Sequence, residues 1–151
     1  MQIQDIMTKK VISVSPEMKM CEVAEILTSN RIHGMPVVED QKIVGIVTET
    51  DFFTKESSLD FHLPSYIKFI ENSKLAEKLP EDKESELEKL MSATARDIMT
   101  SDCVTFKTTD SIEDLFDFFK KTNHHTVPVI NENEALVGVV TLSDLIKMLK
   151  V

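Results

Sequence analysis

The feature that most constrains this chain is that it repeats itself. Residues 5–14, DIMTKKVISV, correspond to residues 97–106, DIMTSDCVTF, at an offset of 92. The same offset carries Ser15–Glu25 onto Lys107–Asp117, and His33-Gly34-Met35-Pro36-Val37-Val38 onto His125-Thr126-Val127-Pro128-Val129-Ile130. One extra residue in the next turn moves the offset to 93, where IVGIVTETD ending at Asp51 faces LVGVVTLSD ending at Asp144. Two copies this alike imply two superposable subdomains related by a pseudo-twofold axis.

Each copy reads as strand, helix, strand, strand, helix, which is an α/β unit. The first strands are short, Val11–Val14 and Val104–Phe106. Ser15 before Pro16 reads as an N-cap with proline at the first helical position. In the second copy Asp110-Ser111-Ile112-Glu113 has the spacing of a capping box. Met20, Val23, Ala24 and Leu27 match Ile112, Leu115, Phe116 and Phe119, one apolar stripe per helix. The runs Met35–Val38, Ile43–Val47, Val127–Ile130 and Leu136–Val140 are β-branched and almost continuously apolar, which implies cover on both faces. Residues 39–42 and 131–134 supply the turns. A last helix is expected near Asp51 and again near Asp144.

Neither copy has a comfortable core alone, so each should lean on the other. The expected division is subdomain 1 at 1–54, subdomain 2 at 96–151, and a helical insertion at 55–95. In that insertion Ile67, Phe69 and Ile70, then Leu87, Leu90 and Met91, recur at helical spacing.

Composition narrows the function. A net charge of -9 disfavours a broad nucleic-acid surface, which needs clustered Lys and Arg, but leaves room for a local cationic pocket. No run reaches membrane-spanning length, so no membrane insertion is expected. The start, MQIQDIMTKK, has no apolar signal region. Cys21 and Cys103 lack metal-ligand spacing and read as reduced thiols of a cytoplasmic protein. Gly34, Gly45 and Gly138 are the only glycines, so there is neither a P-loop nor a dinucleotide fingerprint, and no nucleophile elbow is present. Gly45 and Gly138 match each other inside strands, which suits close backbone approach. His124 and His125 have no further ligands at recognisable spacing, so no metal is expected. The expectation is a protein that is not an enzyme.

The ordered set of DIMT, His-x-x-Pro-Val, the Gly-containing strand and the closing TETD or TLSD, present twice, resembles the CBS-domain family. The likeness covers roughly residues 1–54 and 96–151, paired as in a Bateman module, and the expectation is a stand-alone pair with a helical insertion between the repeats. It implies two β-α-β-β-α subdomains packed as a disc with two clefts. Such clefts often take adenosine-containing ligands such as AMP, ADP, ATP or S-adenosylmethionine, with no cofactor required. It also implies a homodimer and regulation of a partner protein that the sequence does not identify. The alternative is a structural or interaction module with empty clefts, acting through dimerisation and the insertion.

The resemblance places candidate residues. Asp51 and Asp144 match the aspartate that binds ribose hydroxyls, and a carboxylate can accept from both. Thr48, Thr50, Thr141 and Ser143, with the free N–H groups of the helix start, could cradle phosphate. Thr48-x-x-Asp51 and Thr141-x-x-Asp144 equally have the spacing of helix caps that need no ligand. Apolar slots for a base would come from Val11, Ile12, Met35 and Pro36 in one cleft, and from Cys103, Val104, Val127 and Pro128 in the other. Ser13 and Thr105 could meet a sugar or base edge, or be ordinary strand residues. Arg31, His33, His124 and His125 precede the second strands, where related modules place phosphate-binding groups. Gly34 and Thr126 stand where some AMP-sensing relatives carry Arg. Lys9 and Lys10 follow the first opening, whereas Ser101 and Asp102 follow the second. If each cleft borrows the opening of the other copy, the Asp144 cleft gains two lysines. The Asp51 cleft meets Asp102 and carries Glu49 besides. The Asp144 cleft is therefore expected to hold an anionic ligand more tightly.

Overall fold

The β-branched runs pair as two hairpins, one per copy. In the first, β1 (Gly34–Glu39) and β2 (Lys42–Thr48) run antiparallel, joined by Asp40 and Gln41. Both turn residues take positive φ, 51° and 67°, the left-handed pair that lets a two-residue turn follow the twist of its strands. In the second copy β3 (Phe106–Lys107) runs parallel to β4 (Thr126–Ile130), which pairs antiparallel with β5 (Leu136–Thr141). The longer turn is held by the Asn131 side chain, whose Oδ1 accepts from the N–H groups of Asn133 and Ala135. Each hairpin bulges at the same place, between Val37 and Val38 and between Val129 and Ile130. The computed structural model describes residues 1–52 and 92–150. The expected insertion, up to Met91, lies outside them.

Two expected elements differ. The first strands shrink: Val14 alone bridges Val37, and Phe106–Lys107 replaces Val104–Phe106. The first helix, α1 (Met20–Ser29), starts four residues after the expected proline, with Lys19 as N-cap. The reason lies in the other copy. The carbonyls of Pro16 and Met18 accept from the N–H groups of Arg96 and Ala95 at 3.0 and 2.8 Å, and Met20 N–H donates to Ala93 O at 2.9 Å. Residues 16–18 form a turn, closed by Met18 N–H to Ser15 O at 3.2 Å, and are held out of the helix by the short helix α2 (Ala95–Ile98), which opens the second copy.

The pseudo-twofold repeats this arrangement. Ile3 and Gln4 N–H donate to the carbonyls of Asp110 and Thr108, both at 3.0 Å, just before α3 (Ile112–Lys121). The cap of α3 is Ser111, whose hydroxyl accepts from Asp114 N–H at 3.1 Å. Asp110 instead accepts from Lys107 N–H at 2.7 Å. The last helix, α4 (Leu142–Lys147), is capped by Thr141, and its counterpart begins as a 3-10 turn over Glu49–Phe52.

Each core is closed by the other copy's opening. Met20, Val23, Leu27, Met35, Val37 and Val47 pack with Ala93, Ala95 and Ile98, while Leu115, Phe119, Val127, Val129 and Val140 pack with Ile3. The mutual dependence expected from the size of each copy is therefore a reciprocal exchange. Burying the apolar side chains of a borrowed segment is worth about 1.5–3 kcal/mol each relative to exposure.

Candidate functional site

The closing turns come first. Asp144 is buried, 8% exposed; one carboxylate oxygen, Oδ2, accepts from Thr141 N–H at 2.8 Å, and the Thr141 hydroxyl accepts from Asp144 N–H at 3.2 Å. The other oxygen, Oδ1, lies 3.6 Å from Lys147 Nζ. Asp51 Oδ2 accepts from Thr48 N–H at 2.7 Å and from the Thr48 hydroxyl at 3.2 Å. Its Oδ1 accepts from the Thr100 hydroxyl of the second copy at 3.5 Å. Thr48 and Thr50 share a hydroxyl hydrogen bond of 2.8 Å, and Ser143 is exposed in the first turn of α4. Capping thus occupies Oδ2 in both turns. A carboxylate has about four acceptor sites, so capping and sugar binding are compatible.

The openings meet these turns across the pseudo-twofold. Thr8 exchanges two backbone hydrogen bonds with Val139, of 2.8 and 3.0 Å, and Thr100 does the same with Ile46, at 2.9 and 3.0 Å. Lys9 and Lys10 therefore leave from beside the strand that runs into Thr141–Asp144, and Ser101 and Asp102 from beside the strand that runs into Thr48–Asp51. Next to the first crossing is a cavity of about 340 Å³, lined by Lys9, Val11 and Ser13, by Val38 and Gln41, and by Ala135, Leu136 and Val137. It joins both copies at their hairpin turns. Thr141, Ser143 and Asp144 do not line it.

The other expected residues divide. Ile12 and Val104 are open to solvent, at 36% and 48% exposure, while Thr105 is half-buried. Met35, Pro36, Val127 and Pro128 are fully buried and pack in the hydrophobic interior. Cys103 is half-buried, and burial pushes its thiol up. Among the basic candidates, Arg31 sits at a positive φ of 53° behind α1, closing the helix through Arg31 N–H to Thr28 O and Ile32 N–H to Leu27 O. His33 Nδ1 lies 3.1 Å from Glu49 Oε2 at the rim of the Asp51 turn. The His124 ring stacks on Phe118 at 5.4 Å, and His125 is exposed.

Sequence reasoning missed the role of the first DIMT residue. Asp5 and Asp97 accept from the N–H groups of Gln2 and Thr94, both at 2.8 Å, repeating the closing-turn geometry at the exchanged openings. The spacing Thr94-x-x-Asp97 was a legible signal. Among the described residues, no three His, Cys, Asp or Glu are grouped to hold a metal ion, and no helix is long and apolar enough to cross a membrane.

The fold and these turns define a tandem-repeat α/β module in which each half's capped turn borders the other half's opening. Residues 3–57 and 95–151 each match the CBS domain, and the chain belongs to the CBS-domain family. An uncharacterized protein of Methanocaldococcus jannaschii is 35% identical over 155 residues, covering 99% of this chain and 91% of that protein. Several longer curated relatives are spanned for less than half their length. Among solved structures, CBSX2 in complex with AMP superposes with a TM-score of 0.69 at 21% identity, covering 97% of this chain and 94% of that one. The CBS domain pair of protein MJ0100, in complex with 5'-methylthioadenosine and S-adenosyl-L-methionine, gives 0.67 at 21% identity, with 98% and 94% covered. These likenesses show the fold.

Proposed function

We propose that this pair is a non-catalytic regulatory module that binds an adenosine-containing ligand between its copies, with the Asp144 side the principal site. The observation that carries the ranking is the backbone crossing of Thr8 on Val139. It delivers Lys9 and Lys10 to the second-copy side, where Lys147 also lies 3.6 Å from Asp144. On the Asp51 side the corresponding groups are Ser101, Asp102 and Glu49, and Oδ1 of Asp51 already meets Thr100. Cations attract a phosphate or a carboxylate-bearing ligand, and acidic groups repel it, most strongly at low salt. The adenosine ligands named for CBSX2 and MJ0100 support the chemical class. The proposed setting is a cytoplasmic homodimer acting on a partner protein. Its mechanism is linkage, in which ligand favours one arrangement of the exchanged copies and shifts its population.

The test is a thermal-shift panel of AMP, ADP, ATP, S-adenosylmethionine and GTP on the intact chain. A ligand at a hundred times its dissociation constant adds about 2.7 kcal/mol to the folded state. An upward shift with an adenosine ligand is expected, and folded protein that no panel member shifts at millimolar concentration returns the chain to an empty-cleft interaction module. The backbone N–H bonds to Oδ2 of Asp51 and Asp144 form without ligand and are compatible with that second reading as well.

A further inference from the structure

The two junctions between the copies match bond for bond along the backbone. At the first, the N–H groups of Ile3, Gln4 and Ile112 donate to the carbonyls of Asp110, Thr108 and Met1, at 3.0, 3.0 and 3.4 Å. At the second, those of Ala95, Arg96 and Met20 donate to Met18, Pro16 and Ala93, at 2.8, 3.0 and 2.9 Å. The offset of 92 carries each bond of one junction onto a bond of the other.

The side chains break this symmetry. Arg96 Nη2 lies 3.1 Å from Glu17 Oε1 and 3.4 Å from Glu39 Oε2, so one guanidinium of the second copy meets two carboxylates of the first. Its Nε also donates to Glu17, at 3.4 Å. The matched positions at the other junction are Gln4, Thr109 and Asn131, and none is charged. The Gln4 side chain donates within its own segment, to Gln2, and the Asn131 side chain accepts from its own turn. Among the described residues no other ion pair joins the copies: His33 meets Glu49 within the first, and Lys147 meets Asp144 within the second.

We infer that Arg96 is a one-sided electrostatic latch, which makes the α2 junction responsive to ionic strength and leaves the N-terminal junction indifferent to it. The latch needs no ligand to act, so its test stands apart from that of the proposed function. The Arg96 side chain is 47% exposed and its partners 73% and 48%, so salt reaches all three groups. Exposed pairs of this kind are weak and are screened as the ionic strength rises. Apolar burial differs between the junctions too, since Ile3 stands where the other has Ala95, but burial does not weaken with added salt. The latch therefore decides which junction answers to salt, not which is the stronger. The junction it governs is the one whose Thr100 hydroxyl reaches Oδ1 of Asp51, which puts the first copy's closing turn on the responsive side.

The experiment is amide hydrogen exchange on the intact chain, followed residue by residue by nuclear magnetic resonance. It compares about 0.01 M with about 1 M sodium chloride, which shortens the screening length from about 30 to about 3 Å. In the wild type the Met20, Ala95 and Arg96 amides are expected to exchange about two- to fivefold faster at the higher salt, measured against Ile3, Gln4 and Ile112. Arg96→Gln, which installs the residue of the matched position, gives the faster rate already at low salt and abolishes the salt response. Glu17→Gln combined with Glu39→Gln does the same from the first copy. All three side chains are exposed, so these variants keep both cores intact. Equal salt responses at the two wild-type junctions overturn the latch, as does a difference that survives either variant.

Discussion

Replacing Gly45 by alanine asks whether the exchanged openings are as close as the geometry requires. A Cβ built at Gly45 would lie 2.7 Å from Met99 Sδ and 2.9 Å from Thr100 O; at Gly138 it would lie 2.6 Å from Met7 Sδ and 3.1 Å from Thr8 O. The thioethers can swing aside because methionine has three rotatable bonds. The carbonyls cannot, because each accepts a strand hydrogen bond, Thr100 O from Ile46 N–H and Thr8 O from Val139 N–H, both at 3.0 Å. Overpacking a tight contact costs roughly 1–3 kcal/mol. Neither glycine has a positive φ, so alanine recovers about 0.4–1 kcal/mol by restricting the unfolded chain. The net expectation is a loss of about 0.5–2 kcal/mol for Gly45→Ala, and a smaller loss for Gly138→Ala because its carbonyl stands farther off.

Urea unfolding of the intact chain measures this through the midpoint at constant slope. Pairing Gly138→Ala with Met7→Ala should relieve part of the clash, giving a coupling of about 0.5 kcal/mol or more in a double-mutant cycle. The same cycle at Gly45 with Met99→Ala should relieve less, since Thr100 O remains in the way. Gly45→Ala equal to or more stable than wild type would refute the reasoning, as would strict additivity in the Gly138 cycle.

Ser111→Ala should cost about 0.5–2 kcal/mol in a thermal or urea melt through loss of the α3 cap, whereas Ser15→Ala should stay within about 0.5 kcal/mol, since α1 begins at Met20. Iodoacetamide followed by mass spectrometry should label exposed Cys21 well before half-buried Cys103. Burial raises the Cys103 thiol, so less of it is thiolate at any given pH; equal rates would contradict that. In titration calorimetry with the strongest ligand of the panel, Asp144→Asn should lose about 1.5–3 kcal/mol of binding and Asp51→Asn less. The larger loss in Asp51→Asn would reverse the assignment of the sites.

The hairpins and helix faces were legible because their signal is local. Val37, Val47, Val127 and Val140 are apolar in strands and prove buried, and Val23, Leu27, Leu115 and Phe119 follow helical spacing into the core. Phe116 follows the same spacing and is exposed, since periodicity marks a face but not how far the core extends along it. The start of α1 was misplaced for a different reason. Ser15-Pro16 is a sound local helix signal, overruled by backbone hydrogen bonds to Ala95 and Arg96 some eighty residues away. Non-local pairing of that kind leaves no trace in propensity. It did leave one in the glycines, since Gly45 and Gly138 are matched positions over which the other copy's Met-Thr crosses. Of the candidate site, the Thr-x-x-Asp geometry of the closing turns was legible, as was the difference in charge between the two openings. Met35, Pro36, Val127 and Pro128 could not be ranked, because an apolar slot and an apolar core use the same residues.

One carboxylate geometry recurs at every junction of this fold. Asp5, Asp51, Asp97 and Asp144 each accept from the backbone N–H three residues earlier, at 2.8, 2.7, 2.8 and 2.8 Å. Two of these turns open the copies and two close them, so the capped carboxylate cannot by itself mark a ligand site. What separates the four is the company of the remaining oxygen. At Asp51 it meets a threonine hydroxyl of the other copy, and at Asp144 it lies near a lysine of its own helix. A cation within 4 Å of a partly buried carboxylate offsets part of its charge. A ribose hydroxyl approaching Asp144 would therefore meet an acceptor whose charge is already partly balanced, with Lys9 and Lys10 of the opposite opening left for the anionic end of the ligand. At Asp51 the same hydroxyl would first have to displace the Thr100 hydroxyl, 3.5 Å from Oδ1, a side-chain contact beside the Thr100–Ile46 backbone crossing. On the proposed reading, ligand at Asp144 would leave the contacts between the copies in place, whereas ligand at Asp51 would compete with one of them. That difference would give two near-identical repeats the means to respond unequally to one molecule.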